Sequence, residues 1–191
     1  MADNNKIKYG LSKCYYSKAT IGTDGSATYT TPVALPGAVS LSLSAQGDTT
    51  TFYADNIKYY IGVSNQGYEG DLELAKLPES FYTDCLGYTT DSQSVLIEDA
   101  GASPAHFALM FQFEGDVGAK RHVIYNCVAS RPDVASSTKE ESIEPQTDTL
   151  TITAGSIYNS VLSADIVKAS VNTTETTAYN AWFTTVYQTT A

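Results

Sequence analysis

"FALMFQFEGDVGAKRHVIYNCVA", residues 107–129, decides how this chain folds. Phe107, Leu109, Phe111 and Phe113 alternate along its first part, and Val123, Tyr125 and Cys127 alternate along its last. Side chains two apart share one face of a strand, so each run presents an apolar face. Glycine between acids, as in Glu114-Gly115-Asp116, has the chemistry of a turn or bulge. The spacing therefore predicts a β-hairpin over 107–129, with Glu114, Asp116, Lys120 and Arg121 crowded at its tip. The same Glu-Gly-Asp triplet stands in "GYEGDLELAKLP", residues 67–78, and is expected to be a turn or bulge there too.

Alternation continues outside that stretch. "VSLSLSA" places Val39, Leu41, Leu43 and Ala45 on one face, "IKYYIGV" aligns Ile57, Tyr59, Ile61 and Val63, and "TLTIT" alternates Leu150 and Ile152 with threonines. Asp24-Gly25 is a hairpin signal, because glycine supplies the positive φ of tight turns. Two segments change period. In "LPESFYTDCLG" Pro78 fits a first helical turn, Glu79 complements the helix dipole, and Gly87 can end the run, which predicts one helix of about ten residues. In "NTTETTAYNAWFTTVYQ" Asn172 precedes Glu175 by three, a capping arrangement, and Tyr179, Trp182, Phe183, Val186 and Tyr187 share helical spacing. That end reads as a docked second helix, although "FTTVYQTT" fits a strand equally well. Residues 129–149 are polar, contain two prolines, and are expected to form one long loop. With no composition shift along the chain, residues 1–191 read as a single domain: an N-terminal arm or strand over 1–20 and a C-terminal extension over 155–191. The fold class expected is mainly β, sandwich- or barrel-like, with one short flanking helix and a possible C-terminal one.

Composition narrows the chemistry. A net charge of −10 is the opposite of what counterion release from phosphates requires, which argues against tight nucleic-acid binding. Tyrosine outnumbers phenylalanine 14 to 6, and its apolar ring with a polar tip suits half-buried faces and contact surfaces. No stretch approaches the 18 or so apolar residues of a membrane helix, and the N-terminus lacks an apolar leader. The expectation is synthesis in the cytosol and no membrane partner. Cys14, Cys85 and Cys127 are odd in number and widely spaced, which suggests small apolar residues and not a disulfide framework. Two histidines and no Cys-x-x-Cys argue against zinc, and neither a nucleophile elbow nor a phosphate loop is present. No cofactor and no catalytic residue are expected. Paired acids at the triplets admit a hydrolase, testable by Glu69→Gln or Glu114→Gln, but the turn reading explains them more simply.

Taken in order, "FYADN", "GYEGDLELAKLP", "FEGD", "KRHVIYNC" and "SRP", framed by "NKIKYGL" and "YNAWFTTVY", resemble the major tail protein of long, flexible-tailed bacteriophages over effectively the whole chain. The resemblance implies a virion structural protein assembled in the host cytosol, with hexameric rings that stack into a tail tube and conduct DNA during ejection. Its partners would be further copies of itself, a tape measure protein and a tail terminator, with DNA as a passenger. Strands of neighbouring subunits would pair edge to edge, and loops and arms would bridge rings. Residues expected to meet neighbouring copies are Tyr53, Asp55, Asn56, Tyr68, Glu69, Asp71, Glu114, Asp116, Lys120, Arg121, Arg131 and Lys139. The alternative from another class is a carbohydrate-binding β-sandwich, suggested by tyrosines and a Ser/Thr-rich surface suited to sugar stacking. If the hairpin tip meets another copy, Lys120→Glu with Arg121→Glu hinders polymerisation in electron micrographs and leaves the circular dichroism of the subunit unchanged.

Overall fold

The computed structural model describes residues 7, 9–115, 118–138 and 145–189. In chain order the strands are β1 (Leu11–Ile21), β2 (Ala27–Tyr29), β3 (Val33–Ala34), β4 (Ala38–Gln46), β5 (Thr49–Ala54), β6 (Ile57–Val63), β7 (Gly67–Leu74), β8 (Thr89–Thr90), β9 (Leu96–Ile97), β10 (Phe107–Phe113), β11 (Arg121–Ala129), β12 (Asp148–Gly155), β13 (Ile157–Asn159), β14 (Ala164–Ile166) and β15 (Lys168–Val171). Helix α1 (Glu79–Cys85) follows β7, and α2 (Thr176–Ala181) follows β15. Nine strands form one antiparallel sheet in the order β2-β1-β10-β11-β12-β7-β4, with β3 also on β1 and β15 also on β11.

The hairpin over 107–129 forms as β10 and β11 and sits in the middle of this sheet. Asp24-Gly25 turns β1 into β2, where the Asp24 carboxylate accepts from the Ser26 amide and hydroxyl. Near Pro36-Gly37 the chain changes partner. Leu35 N–H donates to the Cys14 carbonyl at 2.8 Å, and Ala75 N–H donates to the Gly37 carbonyl at 2.8 Å. The β3–β4 segment thus leaves β1 and joins β7, linking the two sides of the sheet in a barrel-like closure of the kind made by strands that switch sheets. Gly37 takes φ +79°, and a Cβ there would stand 3.0 Å from the Ala75 methyl, so the crossover requires glycine.

Both faces of β10 are buried. Phe107, Leu109 and Phe111 join Cys14, Tyr16, Leu72, Leu150 and Ile152 in one cluster. Helix α1 covers part of it: the Phe81 ring meets Tyr16 edge-on at 5.0 Å and Phe107 at 5.3 Å. Ala108 and Met110 face a second cluster with Val123, Tyr125, Val171 and Trp182, covered by the C-terminal segment. Trp182 Nε1–H donates to the His122 carbonyl at 3.2 Å, which satisfies the indole as it is buried.

Several expectations change in detail. Val123, Tyr125 and Cys127 do not share a face. Leu109 pairs with Ile124 but Phe107 with Cys127, so Tyr125 and Asn126 together oppose Ala108, and this bulge turns Cys127 to the first cluster. A second bulge displaces Val39: Ala38 pairs with Leu74 and Ser40 with Glu73, leaving Val39 52% exposed while Leu41 and Leu43 pack on the core. Helix α1 has seven residues, with Pro78 at its N-cap and not in its first turn; Gly87, at φ +78°, stands just past its end. Helix α2 has six residues and no side-chain cap, so the Asn172–Glu175 arrangement contributes only a Glu175 N–H bond to the Asn172 carbonyl. Beyond Ala181 the described chain is neither helix nor strand, yet Trp182, Phe183, Val186 and Tyr187 all reach the second cluster. Phe81 is wholly buried and edge-packed on two rings, so Phe81→Ala is expected to cost about 3–5 kcal/mol in urea unfolding.

Candidate functional site

Strands β5 and β6 pair only with each other and stand off the main sheet as an arm. At its tip Asp55 and Asn56 take φ +51° and +61°, the geometry of a two-residue type I′ turn, which Asn and Asp tolerate. Its base is fixed where Ser64 N–H donates to the Asp48 carbonyl at 3.0 Å and Gln66 N–H to the Gln46 carbonyl at 2.9 Å. Phe52 lies opposite Tyr60 and Thr51 opposite Ile61, so apolar residues project from both faces. Tyr59 is 69%, Ile61 57% and Val63 78% exposed. "IKYYIGV" was expected to bury one face; within the subunit it buries neither. A lone two-stranded hairpin is marginal in water, and contiguous exposed apolar surface of this kind marks an interaction site.

A different chemistry covers the outer face of β4, β7 and β12. Glu69, Asp71 and Glu73 are spaced two apart on β7, paired on one side with Ser44, Ser42 and Ser40 and on the other with Thr153, Thr151 and Thr149. Thr151 Oγ1 donates to Asp71 at 2.8 Å, while Thr147 Oγ1 and Ser40 Oγ donate to the two Glu73 oxygens at 2.7 and 2.8 Å. The Thr147 and then the Ser40 hydroxyl bond hold the Glu73 carboxyl below the usual carboxylate range. These three strands contain no lysine or arginine. The first Glu-Gly-Asp triplet is therefore neither turn nor bulge, since both registers run unbroken through residues 69–71. A Cβ on Gly70 would lie 1.9 Å from the Ser42 carbonyl oxygen, so the glycine admits close approach of β4.

At the other triplet Glu114 and Gly115 do lie in a turn, where their N–H groups donate to the Gly10 and Tyr9 carbonyls at 2.8 Å each. Glu114 is exposed and Lys120 half-buried. Arg121 is engaged within its own subunit. Its Nε donates to Gln112 at 2.9 Å, a terminal nitrogen donates to the Tyr179 carbonyl, and the guanidinium lies 3.6 Å from the Tyr179 ring centre and 4.8 Å from that of Phe183. It fastens the C-terminal segment to the sheet by cation–π and hydrogen-bond contacts. Arg131 forms an exposed ion pair with Glu98, whose carboxyl is held low first by the Tyr88 hydroxyl and then by Arg131. Tyr68 accepts from Lys168 Nζ at 3.1 Å. Tyr53, Asp55 and Asn56 are on the arm; Asp116 and Lys139 lie outside the described residues, as does part of the 129–149 segment.

Cys14, Cys85 and Cys127 are free and buried, and burial pushes each thiol up to about 12, far from nucleophilic readiness. His106 pairs through Nδ1 with Asn126 Oδ1 at 2.7 Å, and His122 stacks on Phe111 at 5.1 Å. Among the described residues no three of His, Cys, Asp or Glu form a group able to hold a metal ion. No protein-family model matches the chain, and no curated protein matches it. The arrangement defines a self-sufficient β body bearing an unsatisfied apolar arm beside an acidic, hydroxyl-lined face.

Because Glu73 is depressed in the folded state, its contribution to stability is complete above the unfolded value of about 4.3 and is lost as pH falls through the lower folded value. Thr147→Val is expected to move the Glu73 titration upward in a carboxyl-detected NMR experiment and shrink that contribution. Arg121→Glu is expected to expose residues 172–189 to limited proteolysis, whereas Lys120→Glu alone leaves the digestion pattern unchanged. Lys120 is therefore the cleaner probe of contact between copies.

Proposed function

We propose that this chain is a non-enzymatic virion protein, the repeating subunit of rings that stack into the tail tube of a long, flexible-tailed bacteriophage. The observation that carries this reading is the β5–β6 arm, whose large apolar side chains are more than half exposed and whose strands, among the described residues, pair only with each other. Burial of such surface against sister copies is the favourable term that drives association, and obligate contacts of this type bury on the order of 2,000–5,000 Å². Beyond its first residues, which lie near β1, the second edge of β4 pairs with no strand among the described residues, and an unpaired edge is a template for pairing with another chain.

The face formed by Glu69, Asp71 and Glu73 supports the conduit half of the proposal. Carboxylates on three strands that carry no lysine or arginine repel a polyanion within a Debye length of roughly 8 Å, which lets DNA passing near them slide; Arg131, paired with Glu98, borders the β12 side of this face beside Thr147, Thr149 and Thr151. Attraction of even about 1 kcal/mol per ring would accumulate over stacked rings into a trap. Purified protein, alone or with its tail-assembly partners, is expected to show rings or tubes by negative-stain microscopy, and Ile61→Asp with Tyr59→Ser is expected to abolish them while the body remains folded. A compact monomer under every assembly condition overturns the proposal.

A further inference from the structure

A second apolar surface lies on the body. β12 pairs with only the 126–129 end of β11, and the 121–124 end pairs with β15 instead. Near that divergence a cavity of about 220 Å³ opens, walled by Leu41 and Leu43 of β4, Tyr68 of β7, and Phe111 and Phe113 of β10. A cavity of about 150 Å³ already admits a benzene ring, so an aromatic or branched aliphatic side chain fits here. At the edge stands Lys168, with Nζ 4.9 Å from the centre of the Tyr68 ring and no carboxylate partner among the described residues.

Among the described residues the chain thus carries an exposed apolar projection and a largely apolar groove, with His122 and Lys168 also in its lining. At the turn itself the charge is complementary: it carries Asp55, which makes no ion pair among the described residues, with Lys58 next along β6 opposite Tyr53, and the groove is edged by Lys168. Asp55 follows Tyr53 by two residues and precedes Ile57 by two, so an acid at Lys168 brings apolar side chains to the groove. The arm springs from the end of β4, shares no sheet with the body, and is exposed along both of its strands. We propose that the groove between Leu41, Leu43, Phe111 and Phe113 receives the tip of the β5–β6 arm of a neighbouring copy, with Asp55 set against Lys168. A contact between two different patches of identical subunits is heterologous, and it propagates into a closed ring or an open helical stack. The inference rests on the tube reading for the identity of the occupant and adds the place where it docks.

The test uses the full chain with the photo-cross-linker p-benzoylphenylalanine at Tyr53, mixing ¹⁵N-labelled and unlabelled protein so that mass spectrometry separates links between copies from links within one. Links between copies from position 53 to peptides containing residues 41–43 or 111–113 are expected. A charge swap is the second arm: Asp55→Lys and Lys168→Asp singly are expected to slow assembly several-fold, and the two together to restore it. Tubes whose links fall elsewhere, with no rescue by the double swap, overturn the docking and leave the tube reading intact. Groove links without any ring or tube overturn the tube reading and keep the docking; a chain that gives neither overturns both.

Discussion

Strand β10 has to be buried on two sides at once. Its sequence alternates Phe107, Leu109 and Phe111 with Ala108, Met110 and Gln112, and none of these six is left to solvent. A sheet strand meets that demand only if separate layers cover its two faces, and here they come from distant parts of the chain. Helix α1 closes one side through Phe81, and the C-terminal segment closes the other through Trp182. The crossover at Gly37 and the bulges at Val39 and Tyr125 follow from fitting one curved sheet around those two clusters.

Arg121 shows how that arrangement is held where it is thinnest. The C-terminal segment has a helix of only six residues, too short to persist by its own propensity. Gln112, itself buried, accepts from the guanidinium, which also meets the Tyr179 carbonyl and two aromatic rings. A residue that resembles a surface charge in sequence is thus a fastening between layers. Among the described residues the same accounting leaves Ser12 Oγ and Tyr125 Oη buried without partners, the latter in the second cluster, where burial raises the phenol's pKa.

Against this closed body the arm and the acidic face stand apart in kind. The body gathers most of its large apolar groups into two buried clusters; the arm's apolar groups face water, as does the ladder of hydroxyls and carboxylates. An element that gains its main burial from a partner is free to be apolar on both faces, which a strand with one solvated face is not. That is the physical ground on which the proposal gives association to the arm and passage to the acids.

The central hairpin, the β1–β2 turn, the existence of α1 and the inert character of the cysteines were legible in sequence, because alternation, turn residues and burial preference act over a few neighbouring positions. The Tyr53, Asp55 and Asn56 candidates were placed on the arm, while Arg121, chosen as an outward cation, proved to be engaged inside. The Glu-Gly-Asp triplets could not be told apart locally: Glu114 and Gly115 of one lie in a turn, and the other lies mid-strand, where β4 approaches Gly70. Sequence by itself determined the β class and which segments extend or turn, since those follow from local pattern. Only the tertiary structure decided which apolar faces are covered and which are left exposed, because burial depends on segments brought together from far along the polypeptide.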